Sequence, residues 1–270
     1  MCYYVGIIML GRRESLMKAD YKNWMPKGMI ACSLAVSVVL TIITMMIGVK
    51  KKIGKVMLAV SIMCGLLTQW MYLLYRAFSY DGKRQMSKQI IDGVSSYIRI
   101  PDGGKCLDVG CGSGALSIAV AKKNPTAQVI GIDRWGKEYA SFSKELCESN
   151  SRAEGVSNTT FQKGDAISLD FPDETFDAVT SNYVYHNIQS KDRQELLLET
   201  LRTLKKGGTF AIHDIMSKSK YGDMESFVKK LKDMGYEEVK LVDTTDGMFM
   251  SKWESTWMGL SGSAILVGRK

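Results

Sequence analysis

Histidine is close to missing from this chain: 270 residues hold 2, His186 and His213. Cysteine is present but unorganised. The 6 cysteines (Cys2, Cys32, Cys64, Cys106, Cys111 and Cys147) form no C-x-x-C pair and no zinc-ligand spacing, which leaves out a structural metal and fits a reduced compartment. No stretch reads G-x-x-x-x-G-K followed by Ser or Thr, so the phosphate loop of the nucleoside triphosphate enzymes is absent. Internal repeats and low-complexity tracts are absent as well, which excludes solenoids and long disordered linkers.

Charge is missing from two places. Residues 29–49, "MIACSLAVSVVLTIITMMIGV", carry none over 21 positions, and residues 56–75, "VMLAVSIMCGLLTQWMYLLY", carry none over 20. As helices rising about 1.5 Å per residue, each spans about 30 Å, the thickness of a bilayer's hydrocarbon core. A buried core helix of that length normally keeps one polar face, so two membrane helices are expected. Only "KKKIGK", residues 50–55, lies between them, which makes a tight hairpin with both flanks on one side. Nine Lys and Arg residues sit on the flanks, against four in the turn, so the positive-inside rule puts the flanks, both termini and everything after residue 75 in the cytoplasm. Trp24, Trp70, Tyr72 and Tyr75 would form an interfacial belt. Ala31, Ser33, Ala35, Ser37, Ser61 and Gly65 offer small faces for close helix packing. The apolar first ten residues are too short to span, and "GRR" follows them, an order wrong for a secretory signal; a start at Met9 or Met17 also fits.

The formal net charge of +8 is concentrated in this region. Residues 1–75 contribute +7 and the remainder +1. The basic excess can meet anionic lipid head groups, and the soluble part lacks the basic footprint of a nucleic-acid binder.

From residue 76 onward, short apolar strands alternate with helical patterns. An amphipathic helix is expected over 85–98, then strands near 105–109, 127–132, 158–163, 176–181 and 208–213, with helices near 114–123, 136–150, 190–204 and 222–234. This pattern predicts an α/β, doubly wound, mostly parallel sheet. The tail, 236–243 and 262–270, reads as two strands without a helix between them, so one should be antiparallel. Ligands of such sheets sit beyond the carboxyl ends of the strands, where strand order reverses.

The stretch that decides the ligand is "CLDVGCGSGALSIAV", residues 106–120. Its glycines, Gly110, Gly112 and Gly114, do not follow the G-x-G-x-x-G spacing of dinucleotide loops. They let backbone approach a ligand closely. Asp108, inside the strand before the loop, would repel a pyrophosphate but favour a cofactor carrying an ammonium and a sulfonium. Asp133 ends the second strand, where a carboxylate can accept both hydroxyls of a ribose. Asp165 in "GDA" is placed to accept from an adenine amino group, with the backbone of Ala166 meeting a ring nitrogen.

Together "LDVGCGSGALS", "VIGID", "GDA", "LDFPDETFDAVTSNYVYHNI" and "LKKGGTFAIHDI" resemble, in order and spacing, the motifs of class I S-adenosylmethionine-dependent methyltransferases, closest to the small-molecule branch that includes quinone-biosynthetic enzymes. The resemblance covers about residues 85–270 and implies a seven-stranded Rossmann-like sheet with a reversed last strand. The hairpin is outside the family pattern. Cofactor contacts implied are Asp108, Gly110, Cys111, Gly112, Gly114, Asp133, Arg134, Asp165, Ala166 and Asn182. Cys111 reads as a small filler, not a nucleophile. Arg134 either covers the adenine with its stem or is a solvated surface residue. Expected segments are 1–28 (cytoplasmic), 29–75 (hairpin), 76–100 (linker and lid helix over the cofactor) and 101–270 (methyltransferase domain).

Methyl transfer from a sulfonium needs orientation and exclusion of water, and a base only if the acceptor loses a proton. His186 and His213 both follow strands and are the candidate bases, each with a packing role as the alternative. The expectation is a membrane-anchored enzyme acting on a small, lipid-soluble acceptor such as a quinol, an isoprenoid or a phospholipid amine. The alternatives are a soluble metabolite or a membrane protein as acceptor, or a non-catalytic S-adenosylmethionine-binding scaffold. Residues 244–261 carry Met248, Phe249, Met250, Trp253 and Trp257, which either line an acceptor pocket or pack under the last strands.

Overall fold

A computed structural model describes residues 18–136, 141–190 and 192–270. They divide into two compact units, one of Lys22–Lys88 and one of Gln89–Lys270 that also includes residues 18–21.

The first unit is a helical hairpin of α1 (Lys27–Ile47) and α2 (Lys52–Phe78). Both are long and apolar enough to cross a membrane, and only 6% and 17% of their most apolar windows are buried. Leu34, Val38, Ile42, Met46, Met63 and Leu66 point outward, which is the reverse of a soluble core helix. The turn, Gly48–Lys51, lies earlier than the lysine run at 50–55, because the chain bends at a glycine and not where the charges begin. Gly48 has φ +86° and donates its N–H to the carbonyl of Thr44. Gly54 lets α2 close on this turn, since a Cβ there would stand 2.2 Å from the Gly48 oxygen. The inner seam is hydroxylic: Ser37 Oγ donates to the Ser61 carbonyl at 2.9 Å and Ser61 Oγ to the Ser37 carbonyl at 2.9 Å. Thr41 Oγ1 meets Ser61 Oγ at 2.6 Å, and Thr68 Oγ1 donates to Ser33 Oγ at 2.9 Å. Small and hydroxyl side chains are what close helix packing in lipid needs.

The second unit is built on a seven-stranded sheet: β1 (Lys105–Val109), β2 (Gln128–Asp133), β3 (Thr159–Lys163), β4 (Phe176–Asn182), β5 (Leu204–Ile215), β6 (Glu237–Asp243) and β7 (Ser263–Arg269). The order is β3-β2-β1-β4-β5-β7-β6. β7 runs antiparallel to both neighbours, and the pairs from β3 across to β5 are parallel. The order reverses between β1 and β4, so the ligand crevice is expected above Val109 and Asn182. The helices are α3 (Met86–Ser95), α4 (Ala115–Lys123), α5 (Lys144–Ala153), α6 (Arg193–Arg202), α7 (Lys218–Tyr221), α8 (Met224–Asp233) and α9 (Lys252–Trp257). Between sheet and helices lie Leu107, Val109, Phe176, Leu197, Phe210 and Leu266, all buried, each contributing about 1.5–3 kcal/mol by leaving water.

Three expectations are adjusted by this fold. β5 is longer than 208–213, beginning at Leu204. A helix does separate the last two strands: α9 is nucleated by a capping box in which Ser251 and Glu254 satisfy each other's backbone N–H, an S-x-x-E signal legible in the sequence. The helix expected over 136–150 begins only at Lys144, capped by Ser143, and positions 137–140 of that expectation lie outside the described residues. Within the 76–100 segment expected to cover the cofactor lies α3, whose later part packs firmly. Ile90 and Val94 are fully buried, a Cβ on Gly93 would collide with Phe249 at 2.2 Å, and Lys123 Nζ donates to the Asp92 carbonyl at 2.8 Å.

Candidate cofactor and active site

The loop after β1 is shaped by three glycines with φ +73°, +56° and +82° at Gly110, Gly112 and Gly114. Gly110 has a second constraint, since a Cβ there would meet Val184 at 2.3 Å. Gly112 has open space, with Phe142 the nearest neighbour at 3.8 Å, so a ligand can reach the backbone there. Its N–H donates to Asp133 Oδ2 at 2.9 Å, and the N–H of Trp135 donates to Asp133 Oδ1 at 2.8 Å. Asp133 is thereby fixed at the end of β2 with lone pairs left for further donors.

Asp108 is the most informative atom set in this crevice. It is 1% exposed. Oδ2 accepts from Ser117 Oγ at 2.5 Å, but Oδ1 is buried with no partner among the described residues. Burial, against the Ser117 hydrogen bond and helped by the Asp133 charge, pushes its carboxyl up to about 7. A buried carboxylate without a partner is costly, and a cation beside Oδ1 would relieve it. S-adenosylmethionine fits this: its ammonium suits Asp108, its ribose Asp133, and its adenine the depression edged by Arg134, Gly136, Lys163, Gly164 and Asp165.

A second constellation lies across β4 and β5. His186, in the turn after β4, has Nδ1 2.5 Å from Asp214 Oδ1. Asp214 Oδ2 accepts from the His186 N–H at 3.1 Å and from the Tyr221 hydroxyl at 2.9 Å, and Oδ1 also accepts from the Ile215 N–H at 2.6 Å. Burial alone would raise this carboxyl, but the hydrogen bond and charge of His186, with the Ile215 and Tyr221 donors, hold it below the usual carboxylate range. In the neutral ring, with Nδ1–H given to Asp214, Nε2 is the proton-accepting nitrogen of His186. His213 differs. It is 0% exposed, with Nδ1 2.8 Å from Asn182 Oδ1 and Nε2 3.1 Å from Thr244 Oγ1, and burial drops its pKa to about 3. Neutral and enclosed, it holds Asn182 in place.

A sequence profile described as "Methyltransferase domain" matches residues 100–257. The chain belongs to the methyltransferase-domain family. Curated relatives include the uncharacterized methyltransferase YcgJ of Bacillus subtilis, 34% identical over 41% of this chain and 40% of its own. A demethylmenaquinone methyltransferase of Bacillus licheniformis is 34% identical over 43% and 47%. A sterol 24-C-methyltransferase of Gibberella zeae is 32% identical over 47% and 32%. The chain thus spans less than half the length of these relatives. Among solved structures, geranyl diphosphate methyltransferase superposes with TM-score 0.53 at 12% identity, over 72% of this chain and 81% of that one. The cyclase SpnF superposes with TM-score 0.52 at 21% identity, over 69% and 82%. These likenesses show the class I fold of S-adenosylmethionine-dependent methyltransferases, and a cyclase among them illustrates that fold alone does not fix the reaction.

Within this methyltransferase domain, the residues expected at the cofactor lie at the carboxyl ends of β1, β2, β3 and β4. Cys111 packs inward beside Gly131, with its thiol pushed up by burial, as suits a filler. Arg134 is exposed and edges the depression. Asp165 is exposed and accepts from the Ile167 N–H at 2.9 Å, while Ala166 is buried. Asn182 turns to His213. Tyr183, next in line, has φ +55°, a strained conformation for a tyrosine, and its hydroxyl meets Ser263 Oγ at 2.9 Å. Of the 244–261 aromatics and methionines, Phe249 and Met250 pack in the core, whereas Met248 and Trp253 are exposed.

Sequence reasoning missed several participants. Asp214 follows His213 in the chain, yet it pairs with His186, because successive strand residues face opposite sides of the sheet; that alternation was readable. Trp135, at φ +44°, donates Nε1–H to the Gly112 carbonyl at 3.0 Å, and Asn150 donates to the Ser113 carbonyl at 3.0 Å. Tyr221 carries no motif.

Proposed function

We propose that the chain is a membrane-anchored methyltransferase that moves the methyl group of S-adenosylmethionine to a small, lipid-soluble acceptor. The observation that carries the membrane half is the hairpin, whose apolar side chains point outward over two helices of spanning length. The positive-inside count supports cytoplasmic termini and a cytoplasmic catalytic domain. Relatives named for quinone and sterol methylation support an apolar acceptor.

When bound, the cofactor supplies an activated methyl on sulfur. The chain's residues would do the rest. Asp108 holds the ammonium, Gly110 and Gly112 admit the backbone close to the methionine part, and Asp133 fixes the ribose. Asp165 and Ala166 meet the adenine, and Asn182 is steadied by His213. At the acceptor, His186 Nε2 takes the proton of a hydroxyl as its oxygen attacks the methyl carbon, or of an ammonium before the freed amine attacks, and Asp214 stabilises the resulting imidazolium.

The test incubates the full-length chain with methyl-labelled S-adenosylmethionine and host membranes, then separates organic, aqueous and protein fractions. Gly112→Arg, which fills the loop where the ligand approaches, is the control. Label in the organic phase that the control lacks is the expected result. Label confined to the other fractions would discard the lipid acceptor and keep the enzyme. Micromolar cofactor binding without any transfer would leave a scaffold.

A further inference from the structure

Resting on the cofactor site just proposed, the structure assigns a working part to residues that precede the hairpin: we propose that Asp20 and Tyr21 form a latch on the cofactor loop, worked through Asn150. Asn150 lies on α5 and is 2% exposed. Its side chain reads the backbone of Asp20 in both directions. Oδ1 accepts from the Asp20 N–H at 2.8 Å, and Nδ2 donates to the Asp20 carbonyl at 3.1 Å. The same Nδ2 donates to the carbonyl of Ser113, inside the glycine loop, at 3.0 Å. A buried amide is tolerated only when its hydrogen bonds are made, and here all three join segments far apart in sequence.

Tyr21 completes the latch. It packs on the cluster of Cys111, Ile118, Cys147 and Phe161, together with Trp135. Two members of that cluster grip the loop from the same side: Trp135 Nε1–H and the Cys147 thiol both donate to the Gly112 carbonyl, at 3.0 Å and 3.2 Å. The carbonyls of Gly112 and Ser113 are thus held from the α5 side, while the N–H of Gly112 is held by Asp133. A loop fixed on one side meets its ligand on the other without reorganising, which is where affinity is gained.

The order of the chain gives the latch its meaning. Among the described residues, the polypeptide belongs to the catalytic unit at residues 18–21, leaves it for Lys22–Lys88, and returns at Gln89. The hairpin is therefore an insertion within the catalytic unit, and α1 begins at Lys27, a few residues beyond Tyr21. A seated latch favours the loop geometry that holds the cofactor, and by linkage a bound cofactor must favour the seated latch to the same degree. Cofactor binding and the seating of the segment that enters the hairpin are then one equilibrium.

The test needs no acceptor. S-adenosylhomocysteine binding to the full-length chain is measured by calorimetry for wild type, Asn150→Ala, Asp20→Pro (which deletes the N–H that Asn150 accepts), Tyr21→Ala and the double variant Asn150→Ala/Asp20→Pro. Wild type that fails to bind would bring down the cofactor reading itself. With wild type binding, each single variant is expected to weaken binding about tenfold, and the double variant no more than Asn150→Ala alone, the mark of groups acting as a unit. Hydrogen exchange at residues 18–21 should slow when S-adenosylhomocysteine is added. Unchanged binding by both Asp20→Pro and Tyr21→Ala would overturn the latch, as would additive losses in the double variant. Thermal unfolding separates a lost fold from a lost latch, and Tyr21→Ala decides the matter if Asp20→Pro does not fold.

Discussion

Two buried carboxylates stand at the carboxyl ends of parallel strands in one sheet, and they are in opposite states. Asp214, at the end of β5, accepts from His186 twice, from Ile215 and from Tyr221, and its carboxyl is held below the ordinary range. Asp108, on β1, has one partner among the described residues for two oxygens, and burial lifts it to about 7. Desolvation is the first cause in both. What separates them is the supply of donors, and that supply tells the two jobs apart. Asp214 is complete without a ligand and orients a neighbour. Asp108 is incomplete, and in the proposed function a cation from outside finishes it.

The largest expected effect comes from breaking the complete one. His186→Ala should lower kcat about 10²–10⁴-fold, the usual worth of a general base, with S-adenosylhomocysteine affinity within about threefold of wild type. Asp214→Asn should cost a similar factor, because an amide can donate to Nδ1 and leave the proton on Nε2. Kinetics on the acceptor recovered from the organic phase check both. An unchanged kcat in His186→Ala would mean that the acceptor arrives ready to react. Stability gives an independent reading. A carboxyl depressed in the folded state stabilises above its unfolded pKa of about 4, and that contribution is lost as pH falls through the folded value. Asp214→Asn should therefore be less stable than wild type at pH 7, with the gap closing in acid.

Asp108→Asn should show the reverse sign. A carboxyl raised from 3.8 to about 7 on folding takes up a proton in the folded state, so its ionisation costs stability progressively between those two pH values and the cost is constant above. At about 1.4 kcal/mol per pH step, the ligand-free Asn variant should be more stable than wild type above pH 7 by roughly 2–4 kcal/mol. It should also bind S-adenosylhomocysteine about 10–100-fold more weakly, the worth of a charged hydrogen bond. Wild-type affinity should rise with pH up to about 7 while the variant's stays flat. Thermal melts and calorimetry across pH 5–9 measure the set. A variant that binds as wild type does would remove Asp108 from the cofactor site.

The contrast also explains what the sequence could reveal. The unfinished site was legible because its parts are local: glycines forced to positive φ and acids at strand ends leave marks within a few residues of one another. Seven strands were legible from periodicity for the same reason, whereas the reversal of β7 was implied by the family resemblance. The finished network was not, since its members meet only after the sheet has formed. Asp214 reaches His186 across 28 positions, and Asp20 reaches Asn150 across 130. Neither pair carries a spacing rule. The exposed ends of the 244–261 segment were illegible in another way, because Met248 and Phe249 are equally apolar and only packing sends one outward and the other under His213.

Arg134 sharpens the comparison from the weak end. It follows Asp133 directly and edges the depression proposed for the adenine, yet its side chain is exposed. A guanidinium lying over an aromatic ring in water is worth only about 0.5–1 kcal/mol, so Arg134→Ala should weaken S-adenosylhomocysteine binding about two- to fivefold if the stem covers the adenine. A solvated arginine would leave the affinity unchanged. Salt separates a contact from a distant field, since a general electrostatic attraction fades over a Debye length of about 10 Å at 0.1 M while a stacked stem persists. Calorimetry at 0.05 and 0.5 M salt should therefore show the same small ratio between wild type and variant. If the ratio vanishes at high salt, Arg134 acts by charge alone, and the adenine is held by Asp165 and the backbone of Ala166 without it.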